Sequence, residues 1–190
     1  MSRRTRWILL ALIVLLVGGA AALVLTQQPK LDDARSKVDT AWKPLRAELP
    51  LRYQGLTGAL SAFDAAGGTG RGVSKDLRAA LDRWDASLHD GDAGTQAAAA
   101  NAVEAQGTRL VANVLGSERI RADKAVTDAL SKFATTTPNA SAVGGYNHAV
   151  RDYEDVRTDA LAQPVARVLG FGARPVLALG TGAGGSSGGA

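Results

Sequence analysis

At 190 residues the chain has room for one domain with its own core, and it holds no cysteine, which excludes disulfides, thiolate metal sites and thiol nucleophiles. Three of the four net positive charges come from Arg3, Arg4 and Arg6, so the remainder is near neutral and lacks the clustered basic face a nucleic-acid binder needs. Aromatic residues make up only 5% while alanine and glycine abound, which suits closely packed helices with a thin apolar seam.

The first element is Trp7 to Leu25, WILLALIVLLVGGAAALVL, which has no charged or strongly polar side chain. As a helix it covers roughly 28 Å, close to the hydrocarbon thickness of a bilayer. A cleaved signal peptide is the competing reading, and Gly18 to Ala22 offer small residues for cutting. The apolar run continues through Leu23-Val24-Leu25 and is too long for a signal core, so a permanent single-pass anchor is the reading adopted. The basic flank, residues 1–6, holds the N-terminus in the cytoplasm and sends the rest outward.

From Leu31 the pattern turns helical. Leu31, Val38, Leu45, Arg52 and Ala59 are spaced by seven; Arg35, Trp42, Leu49, Leu56 and Phe63 form a second row offset by four. Together these are the two rows of a heptad seam. Pro44 and Pro50 predict kinks, and Gly67-Gly68-Thr69-Gly70 predicts the stop. Ser74 is the expected N-cap of a second helix, with Leu77, Leu81, Trp84 and Leu88 on one face. After a turn at Asp90-Gly91-Asp92, Thr95 is the expected cap of an alanine-rich third helix buried through Val103, Leu110, Val111 and Val114. Gly116-Ser117 reads as stop and cap. A fourth helical region then buries Ile120, Val126, Leu130 and Phe133, slips register near Thr137-Pro138, and continues with Val143, Tyr146, Val150 and Tyr153. It should end before Pro164, and the apolar segment Val165-Ala166-Arg167-Val168-Leu169-Gly170-Phe171 should pack back on the bundle. Gly144-Gly145 weakens the last helix by roughly 1 kcal/mol per glycine. The tail from residue 180 is almost all Gly, Ser and Ala and should be disordered. The expected architecture is therefore all-α: a single N-terminal transmembrane helix, then an elongated antiparallel four-helix bundle over residues 26–179.

Two blocks of the chain follow the pattern of a known family. The first is Arg35-Ser36-Lys37-Val38-Asp39-Thr40-Ala41-Trp42 leading to Arg52-Tyr53, similar to R-N-x-V-D-x-A-W followed by R-R-Y. The second is Tyr146-Asn147-His148-Ala149-Val150-Arg151-Asp152-Tyr153, then Ala166-Arg167-Val168-Leu169-Gly170-Phe171, similar to Y-N-x-A-V-x-x-Y-N followed by A-x-x-x-G-F. The chain departs from the family's D-L-I-P-N-L-V at Gln54 to Leu60, from its T-E-N-R-I run at Thr136 to Gly145, and from its F-P at Ala160-Leu161. These blocks resemble the LemA family of membrane-anchored helical proteins, and the resemblance implies a single-span membrane protein with a helical domain and no assigned enzymatic activity. It singles out Arg35, Val38, Asp39, Ala41, Trp42, Arg52, Tyr53, Tyr146, Asn147, Val150, Tyr153, Gly170 and Phe171 as structural or interaction residues.

The residues themselves suggest few sites. Arg35 and Arg52 put charge into an apolar seam and must pair or snorkel, with Asp123, Asp128, Asp152, Asp155 and Asp159 as candidate partners. Asp85 and His89 have the one-turn spacing of a shared metal, but without a second such pair they read as a polar face. His148 has no nearby partner of the right type and reads the same way. Asp90-Gly91-Asp92 hints at a calcium loop, yet position twelve is Asn101 rather than Glu. Gly67 to Gly72 lacks the strand and the Gly-Lys-Ser/Thr ending of a phosphate loop. Tyr146 and Tyr153 share a face, as core or as a binding stripe. No catalytic, cofactor or metal site is expected. The expected protein is a non-enzymatic module on the outside of the cytoplasmic membrane that binds a protein in the membrane or envelope. A cytoplasmic-side adaptor of a protease or transporter, and a carrier of a small apolar ligand, are the alternatives.

Overall fold

The computed structural model describes residues 3–68 and 72–180, except for the side chains of residues 3–6, 8–11, 13, 14, 16, 20 and 90. It is all-helical, with no strand among the described residues. Helix α1 runs unbroken over Arg3–Phe63, 61 residues. It is joined by α2 (Gly72–Asp90), α3 (Ala93–Leu115), α4 (Glu118–Arg121), α5 (Lys124–Thr135), α6 (Ala140–Thr158) and α7 (Ala162–Leu169). The expected fourth helical region is thus divided into α4, α5 and α6, with the kink or short break expected near Pro138 present as a break and a further break at Asp123.

The heptad rows explain why α1 is the centre. Leu31, Val38, Leu45, Ala59, Trp42, Leu49, Leu56 and Phe63 are all buried, and α1 packs against α3, α5, α6 and α7. Two rows buried over about 50 Å of helix form a surface that several shorter helices can share. Trp42 meets Tyr146 of α6 at 4.9 Å between ring centroids, and Tyr53 meets Trp84 of α2 edge-on at 5.1 Å. The helices α2 and α3 pair with each other across the two-residue turn Gly91-Asp92.

Pro29, Pro44 and Pro50 all lie inside α1 without ending it. Burial of the seam on both sides of Pro44 and Pro50 holds the helix together where an isolated peptide would break. The end comes at a wide turn, Asp64–Gly68, where Gly67 takes φ 91°. Thr69 and Gly70 of the expected stop lie outside the described residues.

Several caps differ from expectation. Asp92, not Thr95, caps α3, its carboxylate accepting the Thr95 N–H at 2.9 Å. Ser74 lies inside α2, buried, and its hydroxyl donates to Asp64 Oδ1 at 2.7 Å. The register slip near Pro138 is a true break, but Asn139 makes the cap by accepting from Ser141 N–H. A further break falls at Asp123, which caps α5. Pro164 sits in the first turn of α7, where the missing N–H leaves no helix bond unmade. That helix does pack back on the bundle, burying Val165 and Ala166.

Among the described residues no helix is long and apolar enough to cross a membrane. The backbone of residues 7–25 is the opening part of α1, but many side chains of that stretch lie outside the described set. Residues 181–190, the expected disordered tail, also lie outside it.

Candidate functional site

After α7, residues 171–180 run without helix or strand along the bundle. Gly170 closes α7 in the left-handed conformation, φ 75°, and the Phe171 N–H returns to Ala166 O at 2.8 Å. The left-handed conformation is open to glycine without a Cβ penalty. It redirects the chain so that it lies between α3 and α6.

This strap is held through its main chain by side chains. Tyr153 donates its hydroxyl to Gly172 O at 2.8 Å, and Tyr146 donates to Pro175 O at 2.9 Å. Asn147 accepts the Leu177 N–H at 2.7 Å and donates to Leu177 O at 3.0 Å. Asn101 does the same one step across, donating to Val176 O and accepting from Ala178 N–H, both at 2.8 Å. Glu154 accepts the Arg174 N–H at 2.9 Å, and Glu104 accepts the Gly180 N–H at 2.9 Å.

An arginine stands at each end of the strap. Arg174, on the strap, is buried and donates to Asp39 Oδ1 at 2.7 Å and Asp92 Oδ2 at 3.0 Å. Asp92 also meets Arg35 at 3.3 Å. At the far end Arg52 of α1 pairs with Glu104 of α3 through Nε at 2.7 Å and Nη2 at 2.9 Å, each side chain 1% exposed. Arg52 also donates to the carbonyls of Phe133, Thr136 and Gly180, and its guanidinium lies 4.0 Å over the Phe133 ring. One guanidinium thereby ties α1, α3, α5 and the strap together.

Electrostatics follow from burial. Burial raises the ionisation of Tyr53, Tyr146 and Tyr153 above the ordinary tyrosine range, so all three stay neutral donors. At Asp92 burial pushes upward, but the Thr95 N–H, Arg174 and Arg35 outweigh it and hold the carboxyl below its usual range. An open cleft of about 470 Å³ borders this cluster, lined in part by Arg35, Asp92, Tyr153, Gly172, Arg174 and Pro175. Both arginines on its wall are paired with Asp92. Every buried side-chain polar atom among the described residues has a hydrogen-bond partner, an arrangement that holds a backbone in place.

Some of the residues singled out from the sequence lie around this strap and the others pack in the core. Arg35 and Asp39 flank Arg174; Tyr146, Asn147 and Tyr153 grip the main chain; Gly170 and Phe171 launch it. Val38, Val150 and Trp42 are core, Ala41 is packed against it, and Trp42 donates to Gln96 at 2.6 Å. The aspartates expected to pair with Arg52 do not: its partner is Glu104. Arg35, by contrast, is half-exposed at the seam edge, as a charge in that row can be. His148 has a partner one turn on, Asp152 at 3.5 Å, on an exposed face. Asp85 and His89 are exposed on α2.

Six residues of the site escaped the sequence reading: Gln96, Asn101, Glu104, Glu154, Arg174 and Asp92 in its pairing role. Glu104 carried a signal. It lies in the row Ala97, Ala100, Glu104, Gly107, Leu110 and Val114, all apolar but for this one charge. Arg174 carried none, since an extended strap has no helical period to violate. Comparison with protein-family models, with curated proteins and with solved structures finds no match to this chain.

Proposed function

We propose that this chain is a LemA-like, non-enzymatic interaction module, anchored in the cytoplasmic membrane by residues 7–25 and displaying its bundle on the outer side. The observation that carries this reading is the pattern of burial along α1. Trp7, Leu12, Leu15, Val17 and Leu25 are between 58% and 75% exposed, whereas Leu31 is fully covered by the bundle. Apolar side chains that their own domain leaves bare call for another apolar phase, and cover from the bundle begins with Leu23 and Val24, which pack partly against its core. One continuous helix joining that stretch to the core would transmit position and orientation from bilayer to bundle without a flexible linker. The polar residues of the bundle support binding rather than catalysis, because they are engaged in holding main chain and one another. Tethering raises the effective concentration of a partner in the same membrane, so a weak surface suffices.

A fusion of an export-dependent reporter to the C-terminus tests the arrangement, together with alkaline carbonate extraction. Reporter activity, a chain that stays with the membrane pellet, and release of a variant lacking residues 7–25 are the expected results. A full chain found in the soluble fraction refutes the anchor. An inactive reporter on a membrane-bound chain moves the bundle to the cytoplasmic side.

A further inference from the structure

The groove between α3 and α6 treats residues 171–180 as a ligand. Asn147 and Asn101 each present one carbonyl and one amide N–H to the strap, on successive residues. That is what a neighbouring β-strand would present, and it suits any extended peptide regardless of its side chains. Selectivity comes from two positions. Arg174 enters the Asp39–Asp92 pair with its side chain 4% exposed, and Leu177, three residues on, is 3% exposed. Val176 between them faces solvent, as does Ala178. Phe171 and Leu177 of the strap belong to the apolar core and Leu179 packs against it. The rest of its hold is a set of hydrogen bonds and ion pairs, and such interactions exchange for equivalent ones. Glycines stand where it would swing: Gly170 in the left-handed conformation, and exposed Gly172 with open space around it.

We propose that this groove recognises an extended segment of another protein carrying an arginine followed three residues later by leucine or a similar apolar residue. The chain's own strap is the built-in occupant that such a segment displaces. Displacing the strap takes Arg174 from Asp39 and Asp92, while Arg35 stays with Asp92, Arg52 with Glu104 and Arg157 with Glu154, so the place left open calls for one cation and disfavours an acidic peptide. The proposal rests on the interaction-module reading and names what is bound. It concerns residues of the bundle alone, so peptide binding can fail while membrane attachment holds, and the reverse.

The test uses the full chain in detergent micelles and a fluorescein-labelled peptide of the strap sequence GFGARPVLALG. Arg174→Ala with Leu177→Ala unseats the strap and leaves every groove residue intact. This variant should bind the peptide at least about tenfold more tightly than the unaltered chain does. A peptide with the same two alanines should lose at least about tenfold in affinity. Adding Asn101→Ala and Asn147→Ala to the strap variant should abolish uptake. A strap variant that keeps its helical circular dichroism but prefers the peptide no more than a scrambled one overturns the proposal. If the variant does not fold, amide exchange of the unaltered chain decides. Excess peptide should accelerate exchange at Arg174, Leu177, Ala178 and Gly180, and unchanged exchange at those amides overturns the proposal. A dimer formed by swapping straps between two copies, with no peptide uptake by the monomer, also overturns it.

Discussion

Replacing Arg52 by leucine tests the central physical claim about the bundle. The variant keeps the apolar character of the seam but leaves the Glu104 carboxylate, 1% exposed, without its cation. Breaking a buried pair by removing one partner costs about 3–5 kcal/mol, because the remaining charge has neither water nor counter-ion. The Phe133 carbonyl, reached by Arg52 at 2.9 Å, loses a buried donor as well, for about 1 kcal/mol more. In a domain of this size each kcal/mol lowers the melting temperature by about 2–4 °C, so the loss should be about 8–24 °C. Thermal unfolding of the full chain in detergent, followed by far-ultraviolet circular dichroism, measures it. Arg52→Leu with Glu104→Leu should recover about 2–3 kcal/mol, since the stranded carboxylate is gone while the unbonded carbonyl persists. A single variant within about 1 kcal/mol of the unaltered chain, or a double variant whose losses simply add, refutes the reasoning.

The three tyrosines are all buried, with ionisation raised by desolvation, so their neutral forms are favoured in the fold. Their stabilisation is complete below the unfolded tyrosine value of about 10 and is lost as pH rises beyond it. Tyrosinate absorbance should appear in one step with the loss of helix, and gradual titration of an intact helix would contradict this. Asp92 is held below the usual carboxylate range, so its contribution is present above the unfolded value of about 3.9 and lost as pH falls through the lower folded one. Asp92→Asn should therefore flatten the acid limb of the stability profile, as read from melting temperatures at and below the unfolded carboxylate value of about 3.9. Gly144 is exposed on α6 with open space where a Cβ would go, so Gly144→Ala should stabilise by about 0.5–1 kcal/mol; a lower melting temperature would count against the α6 backbone described above.

The helical layout was largely legible because period is a local property of a chain. The rows from Leu31 to Ala59 and from Trp42 to Phe63 are buried as their spacing predicts, and helices end at Gly67, in the left-handed region, and at Gly116, in the ordinary right-handed one. The break near Pro138 was legible too, though its cap was not. Asn139, Thr137 and Ser141 are all competent polar residues, and choosing among them depends on how the incoming chain meets Glu48, which accepts the Asn139 N–H at 2.7 Å. Of the residues named with the resemblance, Tyr146, Asn147 and Tyr153 hold the strap's main chain, whereas Val38, Trp42, Tyr53 and Val150 are core.

Spacing and residue type alone determined that the chain is helical, that α1 carries an apolar seam, and that a charge at position 52 had to be answered. Only the tertiary structure decided what answers it and where the strap lies. Glu104 is 52 residues from Arg52 in sequence, and Arg174 is 135 residues from Asp39. Pairings over such distances are set by which helices share the faces of α1. An extended segment held by side chains leaves no periodic mark, because its partners are chosen by backbone geometry rather than by its own sequence.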